Sequence, residues 1–269
     1  MKTHTYIILL AILMLPLAAH PQTDAQQDDL QYAAYLVNNG KSALAYPALN
    51  KLIAQSPSLH YAYYLRALNY YNDGNAKSAL YDIEQALRRR PTNADYLALQ
   101  GDILSLMGKH GKAAESYSKA VRDEDAPPQR IYAAALAYLR NKDYDNATRY
   151  AARLLDLAPL SDSAKLLAAE IHIEEGNTID ALRIINTATK QDAAFYRLRG
   201  MAYCKSQMND LSISDLNNAI DLDPSLSDIY IWRGLAKYQK GDRKGAHADW
   251  NTAISRRQYG AKELLQKYR

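Results

Sequence analysis

The sequence predicts an all-α protein, a solenoid of stacked helix pairs. The first observation is a fixed spacing. Gly40, Gly74 and Gly108 stand 34 residues apart, the next two steps land on Lys142 and Gly176, and after a step of 31 to Gln207 the spacing returns at Gly241. Small residues keep register with it. Five residues on come Ala45, Ala79, Ala113, Ala147, Ala181, Ser212 and Ala246. Twelve on come Leu52, Ala86, Ala120, Leu154, Ala188, Ala219 and Ala253, and seven before come Ala33, Ala67, Gly101, Ala135, Ala169, Gly200 and Gly234. The second observation is that apolar residues between the glycines recur at i, i+3, i+4 and i+7, the period of an amphipathic helix. The third is that prolines close most intervals, at Pro57, Pro91, Pro159 and Pro224, where a helix must stop.

The first 25 residues stand apart from this pattern. MKTHTYIILLAILMLPLAAHPQ has a basic start, an apolar run from Tyr6 to Leu17 and then Ala18 and Ala19. That is the layout of a secretory signal peptide, cleaved after Ala19 or Ala25. The run is short of the roughly 20 apolar residues that span a bilayer, so no transmembrane segment is expected after processing. The single cysteine, Cys204, can make no intramolecular disulfide, so an exported chain of this kind must be held by packing.

From Gln26 each interval reads as two helices joined at the glycine. Residues 60–93 are typical. Tyr63, Ala67, Tyr70 and Tyr71 face inward from the first helix, and Ala79, Ile83 and Ala86 from the second. Gly74 supplies the left-handed turn, which costs another residue about 1–2 kcal/mol. Where two helices cross closely, only small side chains fit, so Ala79, Ala113 and Ala246 are expected to be buried at the crossings. The intervals run 26–59, 60–93, 94–127, 128–161, 162–192, 193–226 and 227–260. The first carries Pro47 inside its second helix. The fifth is three residues short, carries Lys165 at an apolar register position and has no closing proline. Its second helix is expected over Ile179 to Lys190, with a turn at Gln191 and Asp192 straight into the next helix and Asp192 as N-cap. A sixth unit docked at a different angle follows from that lack of loop. The tail 261–269 is polar and reads as a C-terminal capping helix.

The pattern resembles the tetratricopeptide repeat: a large residue at position 4, small residues at positions 8, 20 and 27, and proline at 32 of a unit of about 34 residues. Position 4 is Asp29, Tyr63, Leu97, Ile131, Lys165, Tyr196 and Tyr230. The resemblance covers nearly the whole chain after residue 25. It implies a right-handed superhelix whose first helices line a concave groove that binds proteins. The family's carboxylate clamp needs lysine and asparagine at positions 5 and 9. Position 5 here is Leu30, Tyr64, Ala98, Tyr132, Leu166, Arg197 and Ile231, so that clamp is absent.

Composition narrows the function further. A net charge of +4 spread along the chain is no footprint of a nucleic-acid binder. The one basic run, Arg88 to Arg90, falls at a helix C-terminus, where cations favour the dipole. The six histidines are scattered, and Glu170, His172 and Glu174 at i and i+2 face different sides of a helix. GKHGKAA at 108–114 has the wrong glycine spacing for a phosphate loop and Ala113 where Ser or Thr should stand. Cys204 has no sequence-local base, and Asn146-Ala-Thr148 is a glycosylation sequon inside a helix. No enzyme, metal or cofactor is expected.

What remains is surface, and 22 tyrosines against one phenylalanine and two tryptophans make it unusual. By the resemblance, the groove carries Tyr61, Tyr64 and Tyr71 at its aromatic end, Asp95, Asp102, Tyr132, Glu170 and Glu174 along an acidic middle, Arg197 and Lys205 in a basic sixth unit, and Tyr238 near the end. Rigid tyrosines give contact area at low entropy cost. The reading is an exported scaffold that binds a peptide or protein partner in this groove, in envelope assembly or secretion. In a Gram-negative host it would sit in the periplasm or on the periplasmic face of the outer membrane. A partner would bridge the charge reversal, with an apolar or aromatic segment on the tyrosines, a basic stretch over the acids and an acidic one beyond. The alternative is a binder of glycan or cell-wall polymer that stacks sugars on the tyrosines. Export has a direct check: N-terminal sequencing of protein from its native host should begin after Ala19 or Ala25, and a retained Met1 would overturn it.

Overall fold

The computed structural model describes residues 24–268, so the proposed signal peptide lies almost wholly outside the described residues. Those residues form helices and no strand. The helices fall in seven pairs: α1 (Asp24–Asn38) with α2 (Ser42–Gln55), α3 (His60–Asn72) with α4 (Ala76–Arg89), and α5 (Ala94–Leu106) with α6 (His110–Ala120). There follow α7 (Pro128–Arg140) with α8 (Tyr144–Leu157), and α9 (Asp162–Glu175) with α10 (Thr178–Ile185). Then come α11 (Ala193–Lys205) with α12 (Asn209–Leu222), α13 (Ile229–Gln239) with α14 (Arg243–Ser255), and a last helix α15 (Ala261–Lys267). Each helix packs on its partner and on the next pair, giving a helical repeat solenoid.

The turn inside each pair needs a left-handed residue. Gly74, at φ 76°, takes it without strain, whereas Lys142 (φ 60°) and Gln207 (φ 61°) hold it against the clash of their own Cβ. Side-chain caps start many helices. Asn75 accepts from the Ser78 amide, Asp143 from that of Asn146, and Asp242 from that of Gly245. α2 runs straight through Pro47.

Ala79, Ala113 and Ala246 are fully buried, as their register requires. The closest crossings lie where a residue seven before the turn meets one nine after it. In three pairs the first of these is glycine, and the residue opposite is Tyr117, Leu216 or Trp250. A methyl on Gly101 would lie 2.6 Å from the Tyr117 ring, on Gly200 2.7 Å from Leu216, and on Gly234 2.5 Å from Trp250. Where the first residue is alanine, as at Ala33, Ala67, Ala135 and Ala169, the register partner is the aliphatic Leu49, Ile83, Ala151 or Ile185. Both aromatic partners, Tyr117 and Trp250, thus face a glycine.

The fifth pair departs from the expectation. α10 does not reach Lys190 but stops at Ile185, after 8 residues against 14 in α8 and α12. The three missing residues are therefore taken from the helix, and a full connection at 186–192 remains. Ala188 lies in that connection, not at a helix crossing. The reason is polar. Lys165 is buried where every pair but the first, which has Asp29, places an apolar or aromatic residue, and its Nζ donates to the Thr187 carbonyl at 2.9 Å. Asp162 accepts from the Thr189 amide (3.0 Å), the Thr189 hydroxyl (2.7 Å) and the Lys190 amide (2.8 Å), which holds its carboxyl down at about 2. α9 thus ties down the chain that leaves α10. Asp192 then caps α11, accepting from the Phe195 amide at 3.1 Å.

At the C-terminus Tyr268 stacks on Trp250 (5.7 Å between centroids) and packs against Tyr238 (4.5 Å), and its carbonyl meets His247 Nε2 at 3.1 Å. The last pair is sealed by these rings more than by the polar face of α15. The crossings make a sharp prediction. Gly234→Ala gains about 1 kcal/mol of helix propensity but drives a methyl into fully buried Trp250. The net effect should be a loss of about 1–2 kcal/mol, read as a lower thermal midpoint. An unchanged midpoint would mean the crossing has slack.

Candidate interaction groove

Tyr61, Tyr64 and Tyr71 leave α3 at spacings of three and seven, so one helix face carries all of them. They do not stand free. Tyr61 stacks on Tyr64 at 5.6 Å, and Tyr64 stacks on Tyr96 of α5 at 4.9 Å. Tyr96 was not expected in the site; it is buried and extends the column from one pair into the next. Asp95, its neighbour, is exposed and ion-paired with Arg130 of α7. Burial, and then the nearby Asp95 charge, raises the Tyr61 and Tyr64 hydroxyls above their ordinary value. Tyr71 is raised by burial and by Asp102. These residues of α3, α5 and α7 therefore form one electrostatic unit.

Asp102 belongs to that unit. Its Oδ1 accepts the Tyr117 hydroxyl at 2.6 Å. Burial raises its carboxyl, against the opposing pull of Tyr117 and of Arg130. Tyr132 is half-buried against the core formed by α5 to α9.

The remaining expected residues gather elsewhere. Glu170 and Glu174, one turn apart on α9, line a hollow of about 170 Å³ with Leu139, Arg140, Lys142 and Tyr144. Their bounding residues come from α7, α8 and the turn between them, whereas the contacts of Asp102 are with α6, α7 and α3. The basic residues of the sixth unit are already engaged within the chain. Arg197 pairs with Asp228 at 2.7 Å, and Lys205 donates to the Ile173 carbonyl at 2.5 Å while lying 5.7 Å from the Trp232 ring. Tyr238 is spent on Trp250 and Tyr268.

A second polar system escaped the sequence reading. Arg66, Arg199 and Arg233 each grip a buried carboxylate sixteen residues on, Asp82, Asp215 or Asp249, with two hydrogen bonds. Arg66 and Arg233 also reach Asn50 and Asn217 of the preceding pair, at 2.7 Å each. In the third pair the same register holds Gln100 and Ser116, hydrogen-bonded at 2.9 Å. The spacing was visible as Arg and Asp at i and i+16, but nothing local marks it. Arg89 and Arg256 are a further pair. Each lies over a position-4 tyrosine, Tyr63 or Tyr230, and donates to the carbonyl of the preceding unit's Pro57 or Pro224. The basic run 88–90 is thus partly a brace between units.

Among the described residues no group of three or more His, Cys, Asp or Glu could hold a metal ion, and no helix is long and apolar enough to cross a membrane. Cys204 is buried, and burial pushes its thiol up to about 12.

Comparison with known proteins agrees with the fold. Family models described as tetratricopeptide repeat match residues 33–94, 64–130 and 138–202. The chain belongs to the tetratricopeptide-repeat family. It is 24% identical over 236 residues to DnaJ homolog subfamily C member 3 of Gallus gallus, covering 80% of this chain and 46% of that one. The chain thus spans about half the length of the curated relatives it matches. Its fold resembles a tetratricopeptide repeat protein from Parabacteroides merdae, with a TM-score of 0.73 at 19% identity over 91% of this chain and 99% of the other. It also resembles pilF of Pseudomonas aeruginosa, with a TM-score of 0.59 at 21% identity over 75% and 93%. The repeat is a protein-interaction scaffold of a non-enzymatic type.

His60 links the groove to pH. Arg90 Nε donates to its Nε2 at 3.3 Å, so the proton sits on Nδ1, which donates to the Tyr96 hydroxyl at 2.7 Å. Burial, then Arg90 and Arg89, lowers its pKa below 6.5. The neutral ring is therefore the folded form. Its contribution is complete above pH 6.5 and is lost as pH falls through the lowered folded value. Thermal midpoints should drop between pH 7.5 and 5.0 by more in the wild type than in His60→Gln. Equal drops would remove His60 from the account.

Proposed function

We propose that this chain is an exported scaffold that holds an extended segment of a protein partner against the tyrosine column of α3 and α5. One observation carries the reading. Tyr61, Tyr64 and Tyr96 form a stacked series crossing from one repeat to the next, beside an exposed carboxylate and its arginine. Such a surface is rigid before binding, so little rotamer entropy is lost when a peptide docks. Export rests on the first 25 residues, and a place in envelope assembly or secretion rests on export.

The glycan reading is weaker for a geometric reason. A sugar needs an open aromatic face, and these rings turn their faces to one another. The expected reversal of charge along the partner is also weakened, because Arg197 and Lys205 are already engaged. We therefore place the partner on α3, α5 and α7, short of the sixth pair.

The test starts with affinity capture from the native envelope and mass spectrometry to name the partner. Its dissociation constant is then measured against Tyr64→Ala and Tyr64→Phe. Loss of a central aromatic anchor typically costs about 2 kcal/mol, or roughly 30-fold in affinity. Tyr64→Phe keeps the stack and should retain most of the binding. A Tyr64→Ala protein that is folded by circular dichroism and binds as well as the wild type would show that the rings only pack.

A further inference from the structure

Three times this molecule seats an arginine in the same way. Asp82, Asp215 and Asp249 are buried carboxylates, and each takes two hydrogen bonds from one arginine. Each of those arginines also lies over an aromatic ring. Arg66 is 5.8 Å from the Tyr63 centroid, Arg199 4.6 Å from Phe195 and Arg233 5.4 Å from Tyr230. A planar guanidinium can do both at once, with its edge to the carboxylate and its face to the ring, whereas an ammonium is a point charge.

Asp102 has the carboxylate and the rings of that arrangement without the arginine. It is half-buried on α5, with the Tyr117 hydroxyl on one oxygen at 2.6 Å. Its charge acts on the hydroxyls of Tyr64 and Tyr71, both on α3. The cation that faces it, Arg130 of α7, is ion-paired with Asp95. Asp102 therefore shares Arg130 with Asp95 instead of holding an arginine of its own. A partly buried carboxylate held by a single neutral donor is poorly compensated, and a charged donor would satisfy it better.

We infer that Asp102 receives an arginine side chain of the bound peptide, seated beside Tyr64 and Tyr71 as the protein's own arginines are seated on Tyr63, Phe195 and Tyr230. This rests on the groove reading above and names the chemistry the groove selects. The guanidinium edge donates to the Asp102 oxygen that Tyr117 leaves open, and its face covers the Tyr71 ring, since Tyr64 is stacked on both sides. Arg130 stays on Asp95.

The experiment uses the full processed chain. Random dodecapeptides on phage are panned against it, and the recovered peptides are synthesised with each arginine either kept or replaced by citrulline, which has the same shape and no charge. Affinities are read by fluorescence polarisation for the wild type, Asp102→Asn and Tyr64→Ala. Asparagine still accepts from Tyr117, so the fold is kept, which an unchanged thermal midpoint verifies. The recovered peptides should be rich in arginine. Citrulline at one arginine should weaken wild-type binding by about tenfold and should not weaken binding to Asp102→Asn. If citrulline is tolerated by the wild type, or is equally harmful on Asp102→Asn, while Tyr64→Ala still abolishes binding, the arginine inference falls and the groove stands. If no peptide is recovered, or Tyr64→Ala leaves every affinity unchanged, the groove reading itself fails and takes the inference with it.

Discussion

Paired helices in this chain approach as closely as two facing side chains allow. At each crossing the first helix offers a glycine or an alanine, and where it offers glycine the residue opposite is Tyr117, Leu216 or Trp250. Gly234 faces Trp250 and Gly101 faces Tyr117, while Ala135 has only Ala151 as its register partner. The distance and angle of the pair follow from that contact, and the next pair packs on the surface it creates. A solenoid accumulates such choices additively, because each unit touches only its neighbours. The position of Tyr96 beside Tyr64, and so the aromatic column itself, is a downstream result of crossings at Ala67 and Gly101.

Apolar packing sets the spacing, and arginine ties one pair to the next. Arg66 and Arg233 hold a carboxylate in their own pair and an asparagine in the one before, and Arg89 and Arg256 reach back to a proline carbonyl. Buried ion pairs add little net stability after desolvation, but breaking one leaves a costly orphan charge. Their value here is register: an arginine that must meet two partners in two units permits one stacking and penalises a slip. Asp102 stands outside this register, which its own pair fills with Gln100 and Ser116, and a half-buried carboxylate without an arginine of its own is a reason to look for something outside the chain.

The helix pairs and their turns were legible because their causes are local. Gly74, Ala79 and Pro91 each act over a few residues, and repetition of the 34-residue step multiplies the signal. Asp192 as a cap was legible for the same reason. The end of α10 was not, because it is decided by Lys165 and Asp162, more than twenty residues upstream on another helix. The groove was legible only in part. Spacing put Tyr61, Tyr64 and Tyr71 on one face, but no local rule says that Tyr96 would close the stack, that Arg130 would take Asp95, or that Asp228 would neutralise Arg197. Those pairings connect residues about 30 apart, and sequence periodicity places positions without saying which charges will meet.

The fifth pair also shows how little of a unit is indispensable. α10 ends at Ile185, the register partner of Ala169 and a member of the same buried cluster. The helix beyond that residue, which in α2, α4, α8, α12 and α14 continues for another turn or more, is replaced here by the connection 186–192, and the following pair still docks. The array thus accommodates a shortening on the far side of the crossing. Tolerance of length change along this chain is graded by distance from a single contact in each unit, so the second half of each second helix is where related chains can gain or lose residues without losing the array.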